Sequence, residues 1–122
     1  MISRNIVMAR EAIKAFNEGW LDCLSSMLSP DATYVDEARG ITVRGVDDFK
    51  RTARELRLSL PHTLTNTTFE DDGAVVRARA TVARENDFVE VLEFDASGKI
   101  AKITATYRPT ITLPTPEIVA TA

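Results

Sequence analysis

Asp31-Ala32-Thr33-Tyr34-Val35-Asp36-Glu37 reads as a short strand leaving a helix, and its place in the chain decides the fold. Side chains alternate along a strand, so Tyr34 and Asp36 share one face while Val35 and Glu37 share the other. An acid set beside apolar neighbours is either a strand end that caps a turn, here Ala38-Arg39-Gly40, or a general base tuned by its pocket.

Upstream, Asn5 to Glu18 reads as a helix. Ile6, Ala9, Ile13, Phe16 and Trp20 recur at helical spacing, Ser3 or Asn5 caps the start, and Gly19 supplies a left-handed stop. A shorter helix from Trp20 to Leu28 buries Leu21, Leu24, Met27 and Leu28, and Ser29-Pro30 ends it. Downstream, Ile41-Thr42-Val43-Arg44 is a hairpin partner for the opening strand. A third helix from Val46 to Leu58 turns Val46, Phe49, Ala53, Leu56 and Leu60 inward, with Asp47 and Asp48 where the helix dipole favours them.

After Pro61 the period changes to two. His62 to Glu70, Ala74 to Arg84, Phe88 to Phe94 and Lys99 to Arg108 alternate as strands, separated by turns at Asp71-Asp72-Gly73, Glu85-Asn86-Asp87 and Ala96-Ser97-Gly98. On the strand Phe88 to Phe94, Glu90 falls on the same face as Phe88 and Leu92. On the last strand, Ala101, Ile103, Ala105 and Tyr107 form one row. The expected fold is α+β: a curved antiparallel sheet wrapped around three helices, cone-shaped, with one internal pocket. Residues 1–108 form the domain, and 109–122 form an extended tail.

Composition bounds the function. The chain has 122 residues, 44% hydrophobic and 27% charged, enough for one domain with a cavity in its core. A net charge of −3 argues against a nucleic-acid partner. Cys23 is the only cysteine, so an internal disulfide is excluded; it is expected to be a buried small residue. No apolar run reaches membrane-spanning length and the N-terminus lacks a signal-peptide core, so the expectation is a cytoplasmic protein with no membrane contact. No metal-ligand spacing, phosphate-cradling loop or nucleophile elbow is present, and no cofactor is expected.

Several strings, in this order and spacing, resemble the nuclear transport factor 2-like superfamily, within it the ketosteroid isomerase and SnoaL-like cyclase branch. They are Phe16-Asn17-Glu18-Gly19-Trp20-Leu21-Asp22, Ser29-Pro30-Asp31-Ala32-Thr33-Tyr34-Val35-Asp36, Arg44-Gly45, and Phe94-Asp95-Ala96-Ser97-Gly98-Lys99-Ile100. The resemblance implies that Asp36 stands where the isomerases carry their proton-shuttling base, with Gly45 nine residues beyond it as in that family. Glu90, four residues before Phe94, matches the isomerases' protonated acid and the cyclases' main acid/base. Ala12 stands where the isomerases have an oxyanion tyrosine. Arg77-x-Arg79 departs from the Arg-x-Asp motif of limonene epoxide hydrolases.

The catalytic candidates are therefore Asp36 and Glu90, since proton transfer beside a carbonyl needs a base and a group that stabilises the enolate. Tyr34, Phe16, Trp20, Asn66, Ile103 and Tyr107 are the substrate-binding candidates, and His62 is read as a structural or exposed residue. If both acids are catalytic, replacing either is expected to abolish turnover without lowering the melting temperature. The expected function is a cofactor-independent isomerase or aldol-type cyclase acting on a small apolar carbonyl compound. A non-catalytic ligand-binding or dimerisation protein is the alternative, and an epoxide hydrolase the second. The outer sheet face, with Arg77 and Arg79, is the expected homodimer surface.

Overall fold

The computed structural model describes residues 3–59, 64–82 and 86–107. The tail 109–122 and His62 lie outside the described residues, as do the side chains of Asn66 and Asp87. Among the described residues nine elements follow one another: α1 (Arg4–Glu18), α2 (Leu21–Ser26), β1 (Leu28–Asp36), β2 (Ile41–Arg44), α3 (Val46–Ser59), β3 (Thr65–Asp72), β4 (Val75–Val82), β5 (Asn86–Phe94) and β6 (Ile100–Tyr107).

Local chemistry sets the helix ends. The Ser3 hydroxyl accepts from the Ile6 N–H at 3.1 Å, satisfying one of the free donors of the first turn of α1. Gly19, at φ 77°, closes the helix in the left-handed conformation, and the Trp20 N–H donates to the Ala15 carbonyl at 2.8 Å. That reversal takes Trp20 off the α1 stripe: it is 51% exposed, with the Lys14 ammonium over its ring. On α2 only Leu21 and Leu24 are buried. Cys23, between them on a helix, points away and is exposed rather than buried.

The sheet has six strands in the order β2-β1-β6-β5-β4-β3. Strands β3 to β6 pair antiparallel in sequence, β1 pairs antiparallel with β2, and β6 lies parallel to β1. The sheet is thus mixed at its centre, because the last strand of the meander docks beside β1 pointing the same way. β1 also begins earlier than its sequence suggests. Pro30 sits in the irregular stretch between Leu28 and Thr33, where the ladder to β6 shifts register and no N–H is needed. A second slip, between Glu93 and Phe94 on β5, pairs Phe94 with Ile100 and Glu93 with Lys102. Ala101 is therefore skipped: Ile100 and Ile103 are both buried and Ala101 is not, which breaks the expected row.

The helices cover one face, with α1 against β3 and β4 and α3 against β1 and β2. Tyr34 meets Phe49 edge to face at 5.1 Å, joining β1 to α3. The Asn17 side chain spans to the start of β3, donating to the Leu64 carbonyl and accepting from its N–H, each at 2.9 Å. Lys50 of α3 pairs with Asp22 of α2. Among the described residues no helix is long and apolar enough to cross a membrane.

Candidate active site

The ladder registers place the inward side chains in rows. Ala78, Glu90, Ala105 and Asp36 form one row across β4, β5, β6 and β1; Val76, Leu92, Ile103 and Tyr34 form the next. Phe88 and Tyr107 stack at the other side, with ring centroids 5.5 Å apart and planes within 4° of parallel. Asp36 and Glu90 thus face the same side of the sheet, each opposite Ala105. At the usual strand spacing their backbones stand about 10 Å apart.

Glu90 is flanked on both sides by alanine and faced by Ala12 of α1, so small residues leave room around its carboxyl. It lines a cavity of about 20 Å³ together with Phe16, Leu24, Phe49, Ala53, Leu92 and Ile103. A volume on the order of 10–15 Å³ admits one water, so in this conformation the cavity holds little more than that. Apart from the carboxyl its walls are hydrocarbon and aromatic rings. Among the described residues Glu90 has no hydrogen-bond partner; the residue is half-buried, and the desolvation of its carboxyl pushes it up to about 7.

Asp36 has the opposite surroundings. It is fully buried, and both carboxylate oxygens are taken. Oδ1 accepts from the Arg39 backbone N–H at 3.0 Å; Oδ2 accepts from Arg39 Nε at 2.8 Å and from the Tyr107 hydroxyl at 3.1 Å. Burial pulls the Arg39 guanidinium down, but its hydrogen bond to Asp36 and the charge of that carboxylate raise it on balance. The Tyr107 phenol is pushed up by burial and then by the Asp36 charge and hydrogen bond.

Tyr34 shares the Asp36 face of β1. Its hydroxyl is buried with no hydrogen-bond partner, and the phenol is held well above its usual range, first by burial and then by the charges of Glu90 and Asp36. A buried hydroxyl without a partner is costly, so it is a donor waiting for an acceptor.

Of the substrate-binding candidates, Phe16 and Ile103 line the cavity with Glu90. Tyr34 lies on the Asp36 strand, one row from the two acids, with its hydroxyl unpartnered. Tyr107 is committed to Asp36, and Trp20 is at the surface, away from the cavity, because the Gly19 stop turned it outward. Asn66 is on β3. The residue that sequence reasoning passed over is Arg39, read only as part of a turn. The Asp36-x-x-Arg39 spacing was its signal: the four-residue turn 37–40 returns the guanidinium to the carboxylate three positions back.

Residues 9–103 match the family model of the SnoaL-like domain. Among curated proteins none matches the chain significantly. Among solved structures, a proposed ketosteroid isomerase from Kribbella flavida is similar at 20% identity, covering 93% of this chain and 84% of that one, with a TM-score of 0.71. A proposed polyketide cyclase from Xanthomonas campestris is similar at 17% identity over 88% of this chain and 92% of that one, with a TM-score of 0.75. A de novo designed protein with a curved β-sheet is similar at 21% identity over 98% of this chain and 96% of that one, with a TM-score of 0.76. At these identities the likeness is one of fold, and the designed chain shows how little the fold alone says about chemistry.

Proposed function

This chain belongs to the SnoaL-like domain family, and from that premise we propose that it is a cofactor-independent acid–base enzyme acting on a small apolar carbonyl compound, as an isomerase or aldol-type cyclase. The observation that carries the reading is Glu90: a carboxyl in an apolar cavity, without a partner, titrating near neutrality. A general base works best when its pKa lies near the working pH. In this reading Glu90 takes the proton α to the carbonyl. The free Tyr34 hydroxyl donates to the carbonyl oxygen as it becomes an enolate, in place of the tyrosine that Ala12 does not provide. Asp36, with both oxygens occupied, acts as a positioning residue for Arg39 and Tyr107. The reading includes a homodimer through the outer sheet face, where exposed Arg77 and Arg79 flank half-buried Val89 and Val91; sedimentation velocity at micromolar concentration tests it.

The test is deuterium wash-in at the α-carbon of simple alkyl and aryl ketones in D₂O, followed by proton NMR. The ionised carboxylate is the base, so the rate should rise as pH passes about 7 and then level. Exchange no faster than buffer across a ketone panel sinks the enzymatic reading. The small volume of the cavity favours one alternative, a ligand-binding protein that widens it only for its ligand. Such a protein binds ketones equally well as wild type and as Glu90→Gln and exchanges none of their protons.

A further inference from the structure

A cavity with room for little more than one water takes a ketone only if part of its wall moves. The described residues that line it differ in how free they are to do so. Ala12 and Ala53 are buried and have no side-chain rotamers to exchange. Leu92 and Ile103 are buried opposite each other on β5 and β6, each with a further strand on its other side. Leu24 is buried on α2, and Tyr34 holds the Phe49 ring edge to face at 5.1 Å. Among the described lining residues only Phe16 and Glu90 reach solvent, both of them half-buried. Phe16 is thus the one apolar part of the wall with water on one side, and among the described residues its ring contacts no other ring. Its backbone, by contrast, is pinned. The neighbouring Asn17 side chain bonds both backbone groups of Leu64 at 2.9 Å, and the Asn17 carbonyl accepts from Arg57 Nη2 at 3.3 Å. What moves is the ring and not the helix. Two χ1 wells are open to an aromatic side chain on a helix, and exchange between them is fast where one side faces water.

We propose that Phe16 is the gate of the Glu90 cavity and its size selector. The ring swings into solvent to admit the ligand, and the room it vacates takes a monocyclic ketone and refuses a fused bicycle. The limit follows from the walls. The other apolar lining residues are buried, so the space on offer is the present cavity of about 20 Å³ and the place of one phenyl ring. The opening also lies beside the base, since Glu90 is the other lining residue that reaches solvent.

This inference rests on the acid–base reading for its choice of ketones as ligands, and its test needs no turnover. Ring-fluorinated acetophenone and ring-fluorinated acetonaphthone, alike except for one fused ring, are titrated into the protein, and fluorine NMR reads both affinity and rate of entry. Wild type should bind the acetophenone at least about tenfold more tightly, the discrimination an apolar pocket makes against a group that does not fit. Phe16→Ala should bring the two affinities within about threefold and speed the entry of both at least about tenfold. Phe16→Leu should fall between, and Phe16→Trp should slow entry. Leu92→Ala enlarges the cavity behind a wall that does not open, so the rate of entry should stay within about twofold of wild type. Ile103→Val takes its place should Leu92→Ala fail to fold. Entry as fast in that control as in Phe16→Ala, equal binding of both ketones by wild type, or binding of neither ketone by wild type and Phe16→Ala overturns the proposal. Gated binding without α-proton exchange keeps the gate and sinks the catalyst. Glu90-dependent exchange at equal rates on both ketones in wild type keeps the catalyst and sinks the gate.

Discussion

Asp36 and Glu90 face the same side of one sheet with Ala105 between them, yet donors surround the first and hydrocarbon surrounds the second. The difference comes from what each strand end brings with it. β1 runs into a four-residue turn that folds Arg39 back, and β6 ends with Tyr107 at the same place. β5 passes Glu90 between two alanines and under Ala12, so nothing polar arrives. Burial alone therefore does not make a buried acid a catalyst. A carboxyl with its hydrogen bonds made is a structural element, and one without them is a group whose proton is negotiable.

The largest effect is expected where the partner is missing. Glu90→Gln keeps the size of the side chain and removes the base, so α-proton exchange should fall by about 10²–10⁴-fold. Its melting temperature should hold or rise, because an amide tolerates that cavity better than an ionised carboxyl. A mutant that keeps more than about a tenth of the wild-type rate places the chemistry on another group.

Asp36→Asn is expected to do the reverse. It leaves the Arg39 guanidinium buried without its anion, and breaking such a pair from one side costs about 3 kcal/mol, the lower part of the usual range because Arg39 is partly exposed. Urea denaturation reads this directly. The two acids thus separate, whereas sequence reasoning expected both substitutions to spare stability. A loss below about 1 kcal/mol would mean that Asp36 is not the anchor its three hydrogen bonds suggest.

Much of this was legible in the chain, and what was not has a common cause. Alternation in Phe88, Glu90 and Leu92, and in Tyr34 and Asp36, gives the facing of both acids, because a strand has only two faces to offer. The order of helices and strands gives the α+β architecture. Long-range partners were hidden. Tyr107 reaches Asp36 across 71 positions, and no local pattern announces that β6 docks parallel to β1. The slip at Ala101 and the outward turn of Trp20 were hidden for another reason: each is a one-residue break in a periodicity read as continuous.

Glu90 should also leave a mark on stability against pH. Its folded pKa of about 7 lies above the unfolded value of 4.5, so the folded state holds the proton longer. Between those values the unfolded chain binds fewer protons, and stability falls as pH rises. The contribution is intact below about 4.5, is lost progressively up to about 7, and amounts to on the order of 3 kcal/mol. Subtracting the Glu90→Gln profile from the wild-type profile isolates it from the other titrating groups. A flat difference would place Glu90 in water.

Tyr107→Phe tests the opposite acid at the smallest scale. The substitution keeps the ring on Phe88, where the stack at 5.5 Å depends on the aromatic face, and removes only the hydroxyl that donates to Asp36 Oδ2. Arg39 Nε still occupies that oxygen, so the carboxylate is not stripped bare. The expected cost is about 1 kcal/mol, the net worth of one hydrogen bond. Because the hydroxyl serves Asp36 and not Glu90, the rate of α-proton exchange should change by no more than about threefold and its pH midpoint should stay where Glu90 sets it. A loss of rate as deep as that of Glu90→Gln, with stability intact, would instead put Tyr107 on the substrate and erase the distinction between the acid that holds and the acid that reacts.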